Sequence, residues 1–156
     1  MIIAGTGHRP KFCPCKYKDP HPWLDNLKQD LKQELIKDQA ETVITGMAIG
    51  WDTWLAQVAL ELKIPVHAYV PFRGQGSKWP TSSKNEYDRI IELSEKVVYI
   101  SDSYSNEAFL KRDRAMVDDA EMVYALLNPE STSGGTFYTV KYTEMQGMQV
   151  KHFWRD

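Results

Sequence analysis

The residues of this chain best suited to chemistry lie in three short stretches: Gly134-Gly135-Thr136, Gly46 to Asp52, and Gly5 to Arg9. In the first, two glycines let backbone approach a ligand closely. A turn that opens a helix also leaves unpaired N–H groups where the helix dipole favours an anion such as phosphate. The Thr136 hydroxyl adds a donor, although Gly-Gly also makes ordinary turns. In the second, Gly46, Met47, Ala48 and Gly50 lead from a strand into a helix, so their backbone N–H groups suit phosphate as well. Asp52 follows in the first helical turn, where it either bonds a ribose hydroxyl or only caps the helix. In the third, Gly5-Thr6-Gly7 begins like a dinucleotide fingerprint but has no third glycine and no immediate helix. That argues against ordinary NAD binding, and no cofactor is expected. His8 and Arg9 either reach a phosphate or base, or form a turn with the arginine in solvent.

Arg112 and Asp113 interrupt an apolar helical stripe set by Phe109, Met116 and Ala120. A charge aimed toward a core needs a partner or a ligand, unless the long side chains splay to the edges. Pro71, Gln75 and Trp79 belong to a further polar loop, with Trp79 and Tyr87 either core residues or a stacking wall. Cys13-x-Cys15, with His8 and His21 nearby, is not a recognised zinc spacing, and no structural metal is expected. Lys11, Lys16 and Lys18 read as a solvated face.

The elements that must position these residues alternate along the chain. Met1 to Gly5 is an apolar strand, and Leu24, Leu27, Leu31 and Leu35 mark a helix over residues 22–38. Strands follow at 42–45, 65–70, 97–100, 122–127 and within 148–154. Helices lie between them: one carrying Leu55, Val58, Ala59 and Leu62, one at 81–94, one capped by Ser105 and running to 119, and one ending at Gly147. This alternation predicts an α/β fold with a Rossmann-like, mostly parallel sheet covered by helices on both faces. The loops at 5–10, 46–52, 71–80 and 128–136 all follow strands, so they fall on the one sheet edge where such folds bind ligands.

The length of 156 residues fits a single domain over 1–156 with a sizeable core. A formal net charge of −2 shows no global nucleic-acid footprint. No apolar run reaches membrane-spanning length, no signal peptide is expected before the first strand, and the two cysteines suggest no disulfide framework. A reduced, cytoplasmic protein without membrane contact is expected.

Taken in order, Thr6-Gly7-His8-Arg9-Pro10, Gly46-Met47-Ala48-x-Gly50-x-Asp52, Pro71-Phe72 with Gln75 and Trp79, Arg112-Asp113-x-x-Met116-Val117-Asp118 and Gly134-Gly135-Thr136 resemble the YspA/YpsA-like branch of the SLOG superfamily. The superfamily is named for the DNA-processing protein Smf/DprA and the Lonely Guy (LOG) enzymes. The resemblance covers nearly the whole chain. It implies a Rossmann-like sheet that binds nucleotides or nucleotide-derived ligands at these loops. LOG enzymes cleave nucleoside 5′-monophosphates to base and ribose phosphate, with an Arg-Lys pair and a Gly-Gly-x-Gly-Thr-x-x-Glu turn as their signature. Against that signature, Arg112 matches the arginine, Asp113 replaces the lysine, and Gly134, Gly135 and Thr136 match the turn shortened by one residue. Thr139 stands at the glutamate position, and the branch more usually shows Asn where Asp113 stands. LOG-type cleavage would therefore need Asp52 or Asp113 to supply the carboxylate.

The first expectation is a module that binds, senses or sequesters a nucleotide-derived small molecule. Phosphate would sit on Gly134-Gly135-Thr136, neutralised by Arg112 and Arg9, with the base toward Trp79 or the 46–50 loop. The alternative is an N-glycoside hydrolase using Asp52 or Asp113. A weaker alternative is single-stranded DNA binding like the DprA relatives, against which the acidic balance counts. Superfamily relatives often dimerise, so a homo-oligomer is also open.

Overall fold

The computed structural model describes all residues, 1–156. Its strands are β1 (Ile2–Gly7), β2 (Thr42–Thr45), β3 (Val66–Val70), β4 (Lys96–Tyr99), β5 (Met122–Leu126) and β6 (Gln149–His152). Its helices are α1 (Pro22–Lys37), α2 (Trp51–Glu61), α3 (Thr81–Leu93), α4 (Asn106–Asp118) and α5 (Gly135–Met145), and a short 3-10 turn spans Pro10–Phe12.

Local chemistry accounts for the helix starts. His21 accepts the Trp23 N–H through Nδ1 at 3.1 Å, and Pro22 takes the first helical position, where its missing N–H costs nothing. Leu24, Leu27, Leu31 and Leu35 then form the fully buried face of α1. Ser105 Oγ accepts the Ala108 N–H at 3.0 Å and caps α4. Gly50 and Gly134 open α2 and α5 at φ +100° and +96°, a region that disfavours side chains.

All six strands are parallel, in the order β4-β3-β2-β1-β5-β6. Successive side chains of a strand face opposite sides of the sheet. On one side Ile3, Val43, Val66 and Tyr124 join the leucines of α1, Leu55 and Val58 of α2, and Ile90 of α3. On the other, Ala4, Ile44, Tyr69 and Val123 meet Met116 and Val117 of α4. The fold is Rossmann-like. No helix is long and apolar enough to cross a membrane.

Most boundaries shift by one residue from the sequence expectation, and two differences bear on the crevice. β1 continues through Thr6 to Gly7, because β5 pairs with it as far as Gly7↔Leu126. Gly5, Thr6 and Gly7 are therefore residues of the central strand, not of the loop. β5 ends at Leu126, one residue earlier than expected.

The strand order reverses at β1. The chain first builds outward from β1 through β2 and β3 to β4, then α4 carries it back to place β5 on the other side of β1. A crevice opens outside the carboxyl ends of β1 and β5, as expected where the order reverses.

Candidate functional site

The crevice has a volume of about 730 Å³, within the range of small-molecule sites. Three groups of residues line it: Gly5 to Arg9 from β1 and its loop, Ala48 and Asp52 at the start of α2, and Gly134 to Thr136 at the start of α5. Arg112 and Asp113 of α4 reach it from the side.

Arg112 is buried and tied down by two directed bonds. Its Nε donates to Asp113 Oδ1 at 2.7 Å, and Nη1 donates to the Gly46 carbonyl at 2.6 Å. Nη2 has no protein partner, on a residue that lines the crevice. Asp113 turns its other oxygen to Thr139, whose Oγ1 lies 3.2 Å away while also bonding the Gly135 carbonyl at 2.8 Å. The apolar stripe of α4 is thus interrupted by an internally paired couple, and the carboxylate absent at 139 lies beside that position on Asp113.

Asp52 is buried, with Oδ2 accepting the Ala48 N–H at 3.2 Å. Burial pushes its carboxyl up to about 6, against the pull of the Arg112 guanidinium and the Ala48 N–H. Asp52 therefore holds its own loop, as the capping alternative requires, and also lines the crevice as a carboxyl that titrates near neutrality. Both charged groups close over Gly46, where an added Cβ would stand 2.8 Å from the guanidinium and 2.9 Å from Asp52 Oδ2.

The glycines divide by cause. A Cβ at Gly5 would meet Leu55 at 2.3 Å, and one at Gly7 would meet Trp51 at 2.3 Å, so β1 needs glycine to seat α2. At Gly50 the obstacle is the His8 carbonyl, at 2.7 Å. Around Gly134 and Gly135 nothing lies within 4 Å of an added Cβ. Gly134 is explained by its positive φ; Gly135 has no structural requirement at all. It lies bare on the crevice wall, at the first position of α5, whose leading N–H groups have no intrahelical partner.

His8 serves the frame of the site. Its Nε2 accepts the Asn128 N–H at 2.9 Å and so links the loops after β1 and β5. A backbone amide can only donate, so the neutral ring carries its proton on Nδ1, and burial lowers the pKa further. Arg9 is exposed at the crevice and makes no ion pair. Cys13 and Cys15 are buried free thiols, and burial pushes Cys13 up to about 12.

Several expected positions lie outside the lining. Gly46 and Gly50 support it from behind, and Met47 is a core residue. Gln75 donates from the buried side to the Gly46 carbonyl at 3.3 Å. Pro71 is buried away from the crevice, and Trp79 packs edge-on against Tyr87 at 5.3 Å. The 71–80 loop follows β3, two strands away from the reversal point. The aromatic part of the wall comes instead from Phe12, Tyr104 and Phe109, with Asn106, Ser131 and Ser133 adding polar groups. Sequence reasoning missed Phe12, Tyr104, Asn106 and Phe109 as lining residues, whereas Ser131 and Ser133 lie in the 128–136 loop that it placed at this edge. The signal available was the fifth strand-end loop, Ser101 to Ser105, with an aromatic residue just before a helix cap.

Comparison with known proteins agrees with this architecture. The model of the YspA SLOG family matches residues 3–154. The chain belongs to the YspA SLOG family. Similar members are a UPF0398 protein of Bacillus pumilus, 28% identical over 92% of this chain and 81% of the relative, and one of Bacillus thuringiensis, 24% identical over 94% and 84%. Among solved structures, DNA processing protein A (DprA) from Streptococcus pneumoniae has a TM-score of 0.69 at 17% identity, over 96% of this YspA-family chain and 49% of its own. DprA from Helicobacter pylori, whose structure describes a single-stranded DNA binding mode, gives 0.67 at 17% over 97% and 64%. The structural genomics target TM1055 gives 0.61 at 18% over 96% and 71%. The YspA-family chain thus spans about half of one DprA chain and under two thirds of the other, and shares with all three structures the fold.

Proposed function

We propose that residues 1–156 act as one domain whose crevice binds a nucleotide or nucleotide-derived small molecule, with phosphate on the Gly134-Gly135-Thr136 turn. The observation that carries this is Gly135: no neighbour and no positive φ requires glycine there, yet its bare backbone lines the crevice at a helix start. A phosphate held by backbone N–H groups supplies the missing reason. Arg112 Nη2 and the exposed Arg9 supply positive charge on the same crevice. Incubation with nucleoside monophosphates, NAD and ADP-ribose, with retained ligand and products read by mass spectrometry, tests the assignment. A phosphorylated nucleoside retained intact is the expected outcome; no retention and no product would overturn it.

One observation favours a second reading, N-glycoside hydrolysis. Asp52 lines the crevice with a carboxyl raised to about 6, suited to proton transfer near neutral pH. Asp113 offers another carboxylate beside Thr139. Free base plus sugar phosphate among the products would support that reading. Asp113→Asn should then lower base release by at least about tenfold if Asp113 is the acid or base. DNA binding, described for the Helicobacter relative, has less support here. The net charge is −2, and the crevice is lined by two cationic side chains, one of them internally paired. Salt-sensitive retention of single-stranded DNA would reverse that preference.

A further inference from the structure

Two carboxylates share the Arg112 guanidinium on unequal terms. Asp113 is bonded to it directly, through Nε at 2.7 Å. Asp52 makes no bond to it. Yet Asp52 Oδ2 and the guanidinium stand 2.9 Å and 2.8 Å from one point, the place a Cβ would take on Gly46. They are therefore within about 6 Å of each other, close enough for charge to govern protonation.

Asp52 is also the carboxylate with the least support. It is 6% exposed, and its one hydrogen bond runs from the Ala48 N–H to Oδ2. Oδ1 has no protein partner, and it is not sealed off from the crevice that Asp52 lines. Arg112, 7% exposed, leaves Nη2 unpartnered on the same wall. Few other charges face Asp52. Arg112 and Asp113 approach from α4, and Arg9 and His8 line the crevice from the loop after β1. Burial holds His8 toward its neutral form. β2 supplies the Thr45 hydroxyl, which donates to the Asp52 main-chain carbonyl. The start of α5 supplies Gly134, Gly135 and Thr136, which do not titrate, and α2 has no other charged residue before Glu61.

A phosphate entering the crevice adds negative charge to a wall where one guanidinium already serves two carboxylates. The repulsion falls hardest on the carboxylate that has no bond to the guanidinium. Protonation relieves it: Oδ1 becomes a donor toward the incoming anion, while Oδ2 keeps the Ala48 N–H. We propose that phosphate binding in the crevice is coupled to the uptake of a proton by Asp52, so that the site holds its anion more tightly as pH falls. This coupling rests on the phosphate reading given above. The free carboxyl, raised to about 6 by burial, places the response near neutrality. Below that value the proton is already present in the free protein. Above it the proton must be taken up with the ligand, so affinity declines as pH rises.

Calorimetric titration of the full chain and of Asp52→Asn with AMP and with ribose 5-phosphate, in buffers of different ionisation enthalpy, counts the protons bound with the ligand. Asp52→Asn keeps an acceptor for the Ala48 N–H and stays neutral, and titration of the phosphate itself is common to both proteins. Near pH 7 the unaltered protein should take up about half a proton more than the variant. Its affinity relative to the variant should fall about fivefold or more between about pH 6 and 8. Circular dichroism checks that the variant folds. Should it not, the carboxyl carbon-13 titration of the unaltered protein reads the same coupling, as an aspartate titrating near 6 that moves up to about 7 with AMP. Equal proton uptake and equal pH dependence in the two proteins, or an aspartate titration that AMP does not move, overturns the coupling and leaves the phosphate site standing. Failure of both compounds to bind at any pH overturns the phosphate reading and the coupling with it.

Discussion

Arg112 Nη1 donates to the Gly46 carbonyl at 2.6 Å, across 66 residues of sequence, and joins the loop after β2 to the middle of α4. The same guanidinium bonds Asp113 through Nε. A planar fork can make both bonds and still present Nη2, whereas an ammonium is a point charge on a flexible stem. Arg112→Lys should therefore keep the charge yet cost about 1–3 kcal/mol of stability, because an ammonium cannot reproduce both directed bonds, to Asp113 Oδ1 and to the Gly46 carbonyl. The affinity for a phosphorylated ligand should fall by about tenfold. Denaturant unfolding and calorimetry measure the two effects; unchanged affinity would remove Arg112 from the ligand site.

Gly135 separates ligand binding from folding. Its backbone is ordinary helix and its surroundings are open, so Gly135→Ala should leave stability unchanged or slightly improved. A methyl group on the surface proposed to receive phosphate should still weaken binding by about tenfold or more. Gly134→Ala is the contrasting control, because its φ of +96° makes any side chain costly. Full affinity in Gly135→Ala would show that phosphate does not rest on this turn.

Gly7 should behave in the opposite way. A Cβ there would lie 2.3 Å from Trp51 Cγ and 2.4 Å from Trp51 Cβ, inside a buried strand–helix contact. Gly7→Ala should destabilise the protein by about 1–3 kcal/mol or more, the range for overpacking a core. A lowered melting temperature without any ligand present identifies the cause as packing. A variant as stable as the parent would contradict the seating of α2 on β1.

Asp52 makes stability depend on pH. Its folded-state carboxyl sits near 6, above its ordinary value of 3.8. The protonated form is favoured in the fold, so this contribution is full below the unfolded value and is lost as pH rises through about 6. Asp52→Asn stays neutral throughout. The two proteins should match near pH 4 and diverge up to about pH 7, where the variant is more stable by roughly 2–3 kcal/mol. Unfolding midpoints across that range give the answer; a gap that does not change with pH would mean that Asp52 stays ionised throughout.

The sequence alone determined the class of fold and the edge of the sheet at which the crevice opens. Short apolar strands alternate with amphipathic helices whose stripes, such as Leu24 to Leu35, are local patterns readable without neighbours. The Gly134-Gly135-Thr136 turn and the Arg112-Asp113 pair were legible for the same reason: each is a few adjacent residues whose chemistry does not suit their element. The helix cap at Ser105 was legible too.

What only the tertiary structure decided is which strand-end loops meet and why each glycine is there. Gly5 and Gly7 look like ligand glycines in sequence, but their absent side chains make room for Leu55 and Trp51, about 45 to 50 positions away. Trp79 and Tyr104 both follow strands far from the reversal point. Only Tyr104 returns to the crevice, because α4 must cross back from β4 toward β5 over the opposite face, bringing its start above the central strands. Strand order and helix side arise from long-range packing, so a linear pattern names the loops while the fold chooses among them.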